Sequence, residues 1–159
     1  MELTTRGRYA VMALAEIARS GTGQAMSLSS VADRQGISVA YLEQLFIALR
    51  RAGLVESARG RSGGYRLSRS ADEITVAEIM VAVEERTRMT RCMDDDGQGC
   101  MGAERCLTHN LWHALGHHIR QFLSTISLGD VVSGRSLVQL PSFTAERSKV
   151  AADAGRPSA

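Results

Sequence analysis

A mainly α fold carrying one small β-hairpin is what this sequence predicts, on three observations. Hydrophobic residues make up 44% of the 159 positions, while aromatics reach only 4% and prolines number 2, a composition suited to helices packed on Ala, Val, Ile and Leu. Apolar residues recur at helical spacing in several stretches, most of them opened by a Ser or Thr that can cap backbone amides. One Gly-rich segment, Gly60-Arg61-Ser62-Gly63-Gly64, separates two short strand-like runs. At 17.2 kDa the length matches one ordinary domain with an arm and a tail, which leaves no room for a large two-domain enzyme.

The elements follow in order. From Thr5 to Arg19 the residues Ala10, Leu14, Ile17 and Ala18 share one helical face, and Ser20-Gly21-Thr22-Gly23 ends the pattern. A second helix is expected to begin near Ser30, with Asp33 complementing the helix dipole, and to stop at Gly36. Ser38 is placed to cap a third, which buries Leu42, Leu45, Phe46 and Leu49 and runs to Ala52-Gly53. Leu54 to Arg59 and Tyr65 to Ser68 read as the two strands of the hairpin. Thr75 and Glu78 form a capping-box pattern ahead of Val76, Ile79, Met80 and Val83, which predicts a fourth helix.

Residues 90 to 106 break every periodicity and contain all three Cys and the Asp94-Asp95-Asp96 run, so this loop needs something to order it. Beyond it, Leu111, Leu115, Ile119, Phe122 and Ile126 form an apolar stripe on a helix from about Leu107 to Ile126, some 30 Å long at roughly 1.5 Å per residue. Such a stripe calls for a partner. Ser127 and Asp130 cap a last short helix, and from Arg135 the Ser, Ala and Pro content reads as a frayed tail.

Charge divides the chain. Through Ser70 ten basic residues face five acidic ones, a net of +5, whereas the remainder carries a net of −3. A basic amino-terminal part suits a polyanionic partner. The longest apolar run, Tyr9 to Ala15, is seven residues, short of the roughly 18 to 20 that cross a bilayer, and Met1-Glu2-Leu3-Thr4-Thr5-Arg6 does not read as a signal peptide. A soluble cytoplasmic protein with no membrane partner is expected. Three Cys without an export signal favour ligand or redox chemistry over disulfides.

Ala32, Gly36, Ile37, Leu42 and Leu45 have the offsets of a helix-turn-helix: a small residue where helices approach, a Gly for a left-handed turn, and apolar residues filling the wedge. With the hairpin directly after it, the unit reads as a winged helix-turn-helix. Its third helix would then turn Ser38, Ala40, Tyr41, Glu43 and Gln44 toward base edges. Gln44 can pair with adenine, Glu43 can accept from a cytosine amino group, and Tyr41 can reach a phosphate or a thymine methyl. Glu43 reads equally as a surface carboxylate and as a discriminator against sites that leave its charge unpaired. Arg50 and Arg51 suit phosphates, and Arg59-Gly60-Arg61 at the wing tip suits a narrow minor groove. The competing interpretation is a protein-interaction module with a solvated, flexible hairpin.

Cys92, Cys100, Cys106 and His109 read C-x7-C-x5-C-x2-H, a set able to surround one metal centre. The spacing is compatible with a 2Fe-2S cluster, with zinc, or with three unliganded thiols. His113, His117 and His118 complete no recognisable ligand pattern and are assigned no site. No nucleophile elbow or phosphate loop is present, so no catalytic role is expected.

Leu3-Thr4-Thr5-Arg6-Gly7-Arg8-Tyr9-Ala10-Val11, Gln35-Gly36-Ile37-Ser38, Tyr41-Leu42-Glu43-Gln44-Leu45 and Gly53-Leu54-Val55 resemble motifs of bacterial winged-helix sensors. Arg59-Gly60 with Gly63-Gly64-Tyr65, Arg91-Cys92, and above all Cys106-Leu107-Thr108-His109 followed by Leu111-Trp112, are similar to the IscR family of iron-sulfur cluster regulators. The likeness spans residues 2 to about 134. It implies a homodimeric transcription factor with one 2Fe-2S cluster per subunit on Cys92, Cys100, Cys106 and His109, acting as repressor or activator of iron-sulfur cluster assembly genes. It also implies double-stranded promoter DNA of near-palindromic sequence as partner, with cluster-assembly or cluster-carrier proteins as further partners. Two features depart from the family pattern: seven residues separate Cys92 from Cys100 where five are usual, and Ala40 stands where a second Ser is expected. The expected organisation is a winged domain over residues 1–86, a cluster-binding loop over 87–106, a dimerisation helix with a short following helix over 107–134, and a tail over 135–159.

Overall fold

A computed structural model of the chain describes residues 4–21, 23–60, 63–84 and 104–135. Six α-helices and a two-stranded hairpin are present among them: α1 (Thr5–Arg19), α2 (Leu28–Gln35), α3 (Val39–Arg51), β1 (Val55–Ala58), β2 (Gly64–Leu67), α4 (Val76–Ala82), α5 (His109–Thr125) and α6 (Leu128–Ser133). A 3-10 turn, Ala71–Glu73, links β2 to α4. The order is that of a winged helix-turn-helix followed by a long helix. The cluster-binding loop expected over 87–106 lies outside the described residues as far as residue 103, as does the tail from residue 136.

Local chemistry sets most of the boundaries. The Ser38 side chain accepts the Tyr41 N–H at 3.2 Å and starts α3. Thr75 and Glu78 close a reciprocal capping box at α4, and Ser127 and Asp130 do the same at α6. The second helix begins earlier than the sequence predicts. Ser27, not Ser30, is its cap: the Ser27 hydroxyl accepts the Ser30 N–H at 3.1 Å, which places Ser30 inside the first turn. The first strand is shorter than the run Leu54 to Arg59, and the second is as long as the run Tyr65 to Ser68 but shifted by one residue, so that Gly64 belongs to β2. The long helix starts at His109, because Leu107 is fully exposed and Thr108 already has a non-helical conformation.

The core is a single cluster. Ala10, Ala13, Leu14 and Ile17 of α1 meet Leu42, Leu45, Phe46 and Leu49 of α3, with Val31, Ile37, Leu54, Ile74, Ile79, Val83 and Leu128 closing around them. Ala10 and Ala13 are small and fully buried, which lets α1 lie close to its neighbours. The hairpin pairs antiparallel in the register Val55 to Leu67 and Glu56 to Arg66. Its outer edge is covered just before α2, where Met26 and Tyr65 exchange backbone hydrogen bonds at 2.9 and 2.8 Å. Gly64 is required there, since a Cβ would collide with the Met26 carbonyl. Leu128 brings α6 into the same core, and α6 packs on α1.

Candidate nucleic-acid interface and metal-ligand turn

The turn between α2 and α3 depends on Gly36, whose φ of 64° and ψ of 34° lie in the left-handed region. Its N–H and that of Ile37 both donate to the Ala32 carbonyl, at 2.8 and 3.2 Å, and the Ile37 side chain is buried. The angle between the helices is therefore held by backbone bonds and by one apolar wedge. With Leu42, Leu45, Phe46 and Leu49 facing inward, Ser38, Ala40, Glu43, Gln44, Arg50 and Arg51 are left exposed. The Ser38 hydroxyl accepts from Tyr41 and keeps its own hydrogen to donate outward.

Tyr41 departs from the fully outward placement that the helical pattern suggests. It is half-buried, with its ring edge-on to Tyr9 of α1 at 5.9 Å between centroids, and the Arg8 guanidinium lies 6.0 Å from the Tyr9 ring. An aromatic contact with α1 draws the side chain toward the core and leaves only part of the ring exposed. Among the described residues no cation pairs with Glu43. Arg59 and Gly60 are exposed at the end of the hairpin, and Arg61 lies outside the described residues. Glu56 and Arg66 pair across the hairpin at 2.7 Å, stiffening the strands that carry its tip.

Sequence reasoning passed over a buried carboxylate beside this unit. Glu16 of α1 is 4% exposed and accepts from Arg19 at 2.9 Å, from Arg34 at 2.7 Å and from Gln35 at 2.9 Å. Hydrogen bonds from Arg19 and then Arg34 hold its pKa below the ordinary glutamate range, against the opposing effect of burial. The signal was a charged residue beside Ile17 on the apolar face of α1.

At the other end of the chain, Cys106 and His109 share the turn that opens α5, with the His109 N–H donating to the Cys106 carbonyl at 3.0 Å. His109 is 8% exposed and Cys106 half-buried. Thr108 sits between them, its hydroxyl 3.5 Å from the Cys106 sulfur and accepting the Trp112 indole N–H at 3.2 Å. A thiolate and an imidazole are donors that zinc and iron-sulfur clusters both accept. The other two expected ligands, Cys92 and Cys100, lie outside the described residues, and among those described no three metal-binding side chains gather. His113 stacks on His109 at 6.1 Å. The stripe on α5 is uncovered in part: Leu111 is 60% and Phe122 46% exposed, while Leu115, Ile119 and Ile126 are half-buried. No helix among the described residues is long and apolar enough to cross a membrane.

Comparison with known proteins bears on both regions. A family model described as Rrf2, iron-dependent transcriptional regulator, matches residues 3–134. The chain is 53% identical over 139 residues to an Azotobacter vinelandii protein called HTH-type transcriptional regulator ORF2, covering 87% of this chain and 83% of that one. It is 46% identical over 140 residues to the HTH-type transcriptional regulator IscR of Photorhabdus laumondii, covering 88% and 84%. Among solved structures, T. potens IscR superposes with a TM-score of 0.70 at 32% identity, over 88% of this chain and 92% of that chain.

Proposed function

The chain belongs to the Rrf2 family of transcriptional regulators, and on that premise we propose that it is a cluster-sensing member which reads promoter DNA as a homodimer. Its type is that of IscR, a DNA-binding regulator and not an enzyme. The observation that carries the finer reading is the turn at the start of α5, where Cys106 stands three residues ahead of a buried His109 that opens a helix with a partly uncovered apolar stripe. Cys92, Cys100, Cys106 and His109 would hold one 2Fe-2S cluster per subunit. When bound, such a cluster supplies a redox-sensitive and removable cross-link between the loop and the helix.

The chain's own residues divide the remaining work. Leu111, Leu115, Ile119 and Phe122 pair with their copies in a second subunit, which sets two α3 helices on successive major grooves of a near-palindromic site. Ser38, Ala40, Tyr41, Glu43 and Gln44 face the bases, Arg50 and Arg51 the phosphates, and Arg59, Gly60 and Arg61 the minor groove. In this reading residues 1–86 form the DNA-binding unit, 87–106 the ligand loop, 107–134 the dimer arm and 135–159 a tail. The genes controlled are those of iron-sulfur cluster assembly, in the cytoplasm, with cluster-assembly or cluster-carrier proteins as further partners.

The test is binding of anaerobically purified protein to a duplex selected by that protein from a random library, with and without prior chelation of metal. The proposal expects affinity or site choice to differ between the two samples. Identical affinity for every selected duplex would contradict cluster sensing.

A further inference from the structure

Among the described residues, the buried carboxylate of Glu16 is the one ionised core group that the DNA-reading scheme leaves without a task. Its two oxygens are divided between the helices. Oε1 accepts from Arg19 of its own helix at 2.9 Å and from Arg34 at 2.7 Å, while Oε2 accepts from Gln35 at 2.9 Å. Arg34 and Gln35 are the last two residues of α2, immediately before the left-handed Gly36. Beyond Gly36 and Ile37, both bonded to Ala32, the chain enters α3 at Val39.

We propose that Glu16 is a positioning residue for base reading: it clamps the carboxy-terminal end of α2 to α1 and so sets the direction in which α3 presents Glu43 and Gln44. The inference rests on the reading of α3 as the helix that meets bases. Two physical arguments support it. Burying a carboxylate with its partners contributes little net stability compared with an apolar contact of the same volume, so stabilisation alone is a weak reason for this group. Three charge-assisted or amide bonds to two oxygens do, however, fix both distance and direction, which apolar packing does less sharply. Rotation of the end of α2 passes to α3 through a turn whose backbone bonds leave it little slack, and base contacts tolerate only small misplacements.

Arg34 is 53% and Arg19 64% exposed, so both also have a face available to solvent. A positioning role must therefore be separated from a phosphate contact by Arg34 and from simple stabilisation. The full-length chain first selects a duplex from a random library, and a scrambled duplex serves as the non-specific probe. Wild type, Glu16→Gln, Arg34→Gln and the double variant are then titrated on both duplexes over a range of salt. Each single change is expected to weaken binding to the selected duplex about tenfold, the size of one lost base contact. Scrambled binding and the salt dependence stay as in wild type, and the double variant is no weaker than the weaker single. Arg34→Gln alters only a half-exposed partner and carries the test if Glu16→Gln does not fold. A lowered melting temperature with unchanged selected-duplex affinity would overturn the proposal. So would equal loss on both duplexes with a shallower salt dependence in Arg34→Gln, which would make Arg34 a phosphate contact. If wild type itself selects no sequence, base reading by α3 fails and the proposal falls with it.

Discussion

Leu128 donates its backbone N–H to the carbonyl of Ile74 at 2.7 Å, joining the residue that opens α6 to the segment that precedes α4. The Val76 N–H returns a bond to the Ile126 carbonyl at 2.9 Å, so Thr75 and Ser127 form an antiparallel bridge. Both are caps: each side chain starts the helix that follows it. The far end of α5 is thereby fastened to the core of the winged unit, while its near end carries Cys106 and His109. On the proposed reading, ligation acts on a helix that is already anchored at its opposite end, some 25 Å away at about 1.5 Å per residue.

The close approach at Gly64 gives the first prediction. A methyl group there meets the backbone of Met26, which cannot turn aside as a flexible side chain would. Gly64→Ala is expected to cost about 1–3 kcal/mol and to separate β2 from Met26. A thermal melt that moves by less than about a degree would show that the strand edge relaxes freely.

The second prediction concerns the arginines. Arg50→Ala is expected to weaken selected and scrambled duplexes alike and to lower the salt slope by about one. Arg59→Ala is expected to lose more on the selected duplex, by about 1–3 kcal/mol, if the wing enters a groove. Titration of both variants at several salt concentrations checks the pair.

Acid provides the third. Glu16 is held below its ordinary value of 4.5 by hydrogen bonds from Arg19 and Arg34. Glu78 is held below the same value by the Thr75 backbone N–H and Arg69. A depressed folded-state pKa contributes stability that is fully present above the unfolded value and is lost as pH falls through the folded one. Urea midpoints should therefore be flat above the ordinary glutamate range and decline below it. Glu16→Gln should show a shallower decline than wild type, and an identical decline would remove Glu16 from the acid response.

The apolar stripe supplies the fourth. Leu111 and Phe122 are exposed within the single chain, so Phe122→Glu is expected to leave its fold intact while disrupting association. Sedimentation should then report a monomer where wild type reports a dimer, with weaker binding to a two-half-site duplex. A dimeric variant would place the interface elsewhere.

Much of this architecture was legible because it is local. The caps at Ser38, Thr75 and Ser127 and the Gly36 turn follow from residues within one helical turn of each other. The start of α2 was not: Ser27-Leu28-Ser29-Ser30 offers three hydroxyls, and the tie between Met26 and Tyr65 fixes the chain just ahead of Ser27. The retreat of Tyr41 toward Tyr9 and the clamp on Glu16 were hidden for a similar reason, since each needs a partner on a different helix. The C-x7-C-x5-C-x2-H spacing showed a donor set without choosing its metal, because thiolate and imidazole serve several.

A 2Fe-2S cluster on Cys92, Cys100, Cys106 and His109 is open to one decisive measurement: anaerobic purification followed by iron and acid-labile sulfide assays and a visible spectrum, on wild type and on Cys106→Ala. Cluster ligation by these four residues should give red-brown wild-type protein with about two iron and two sulfide per chain, and a colourless variant that still folds. Colourless wild-type protein containing one zinc, or no metal at all, would contradict it and leave a winged-helix zinc or thiol sensor in its place.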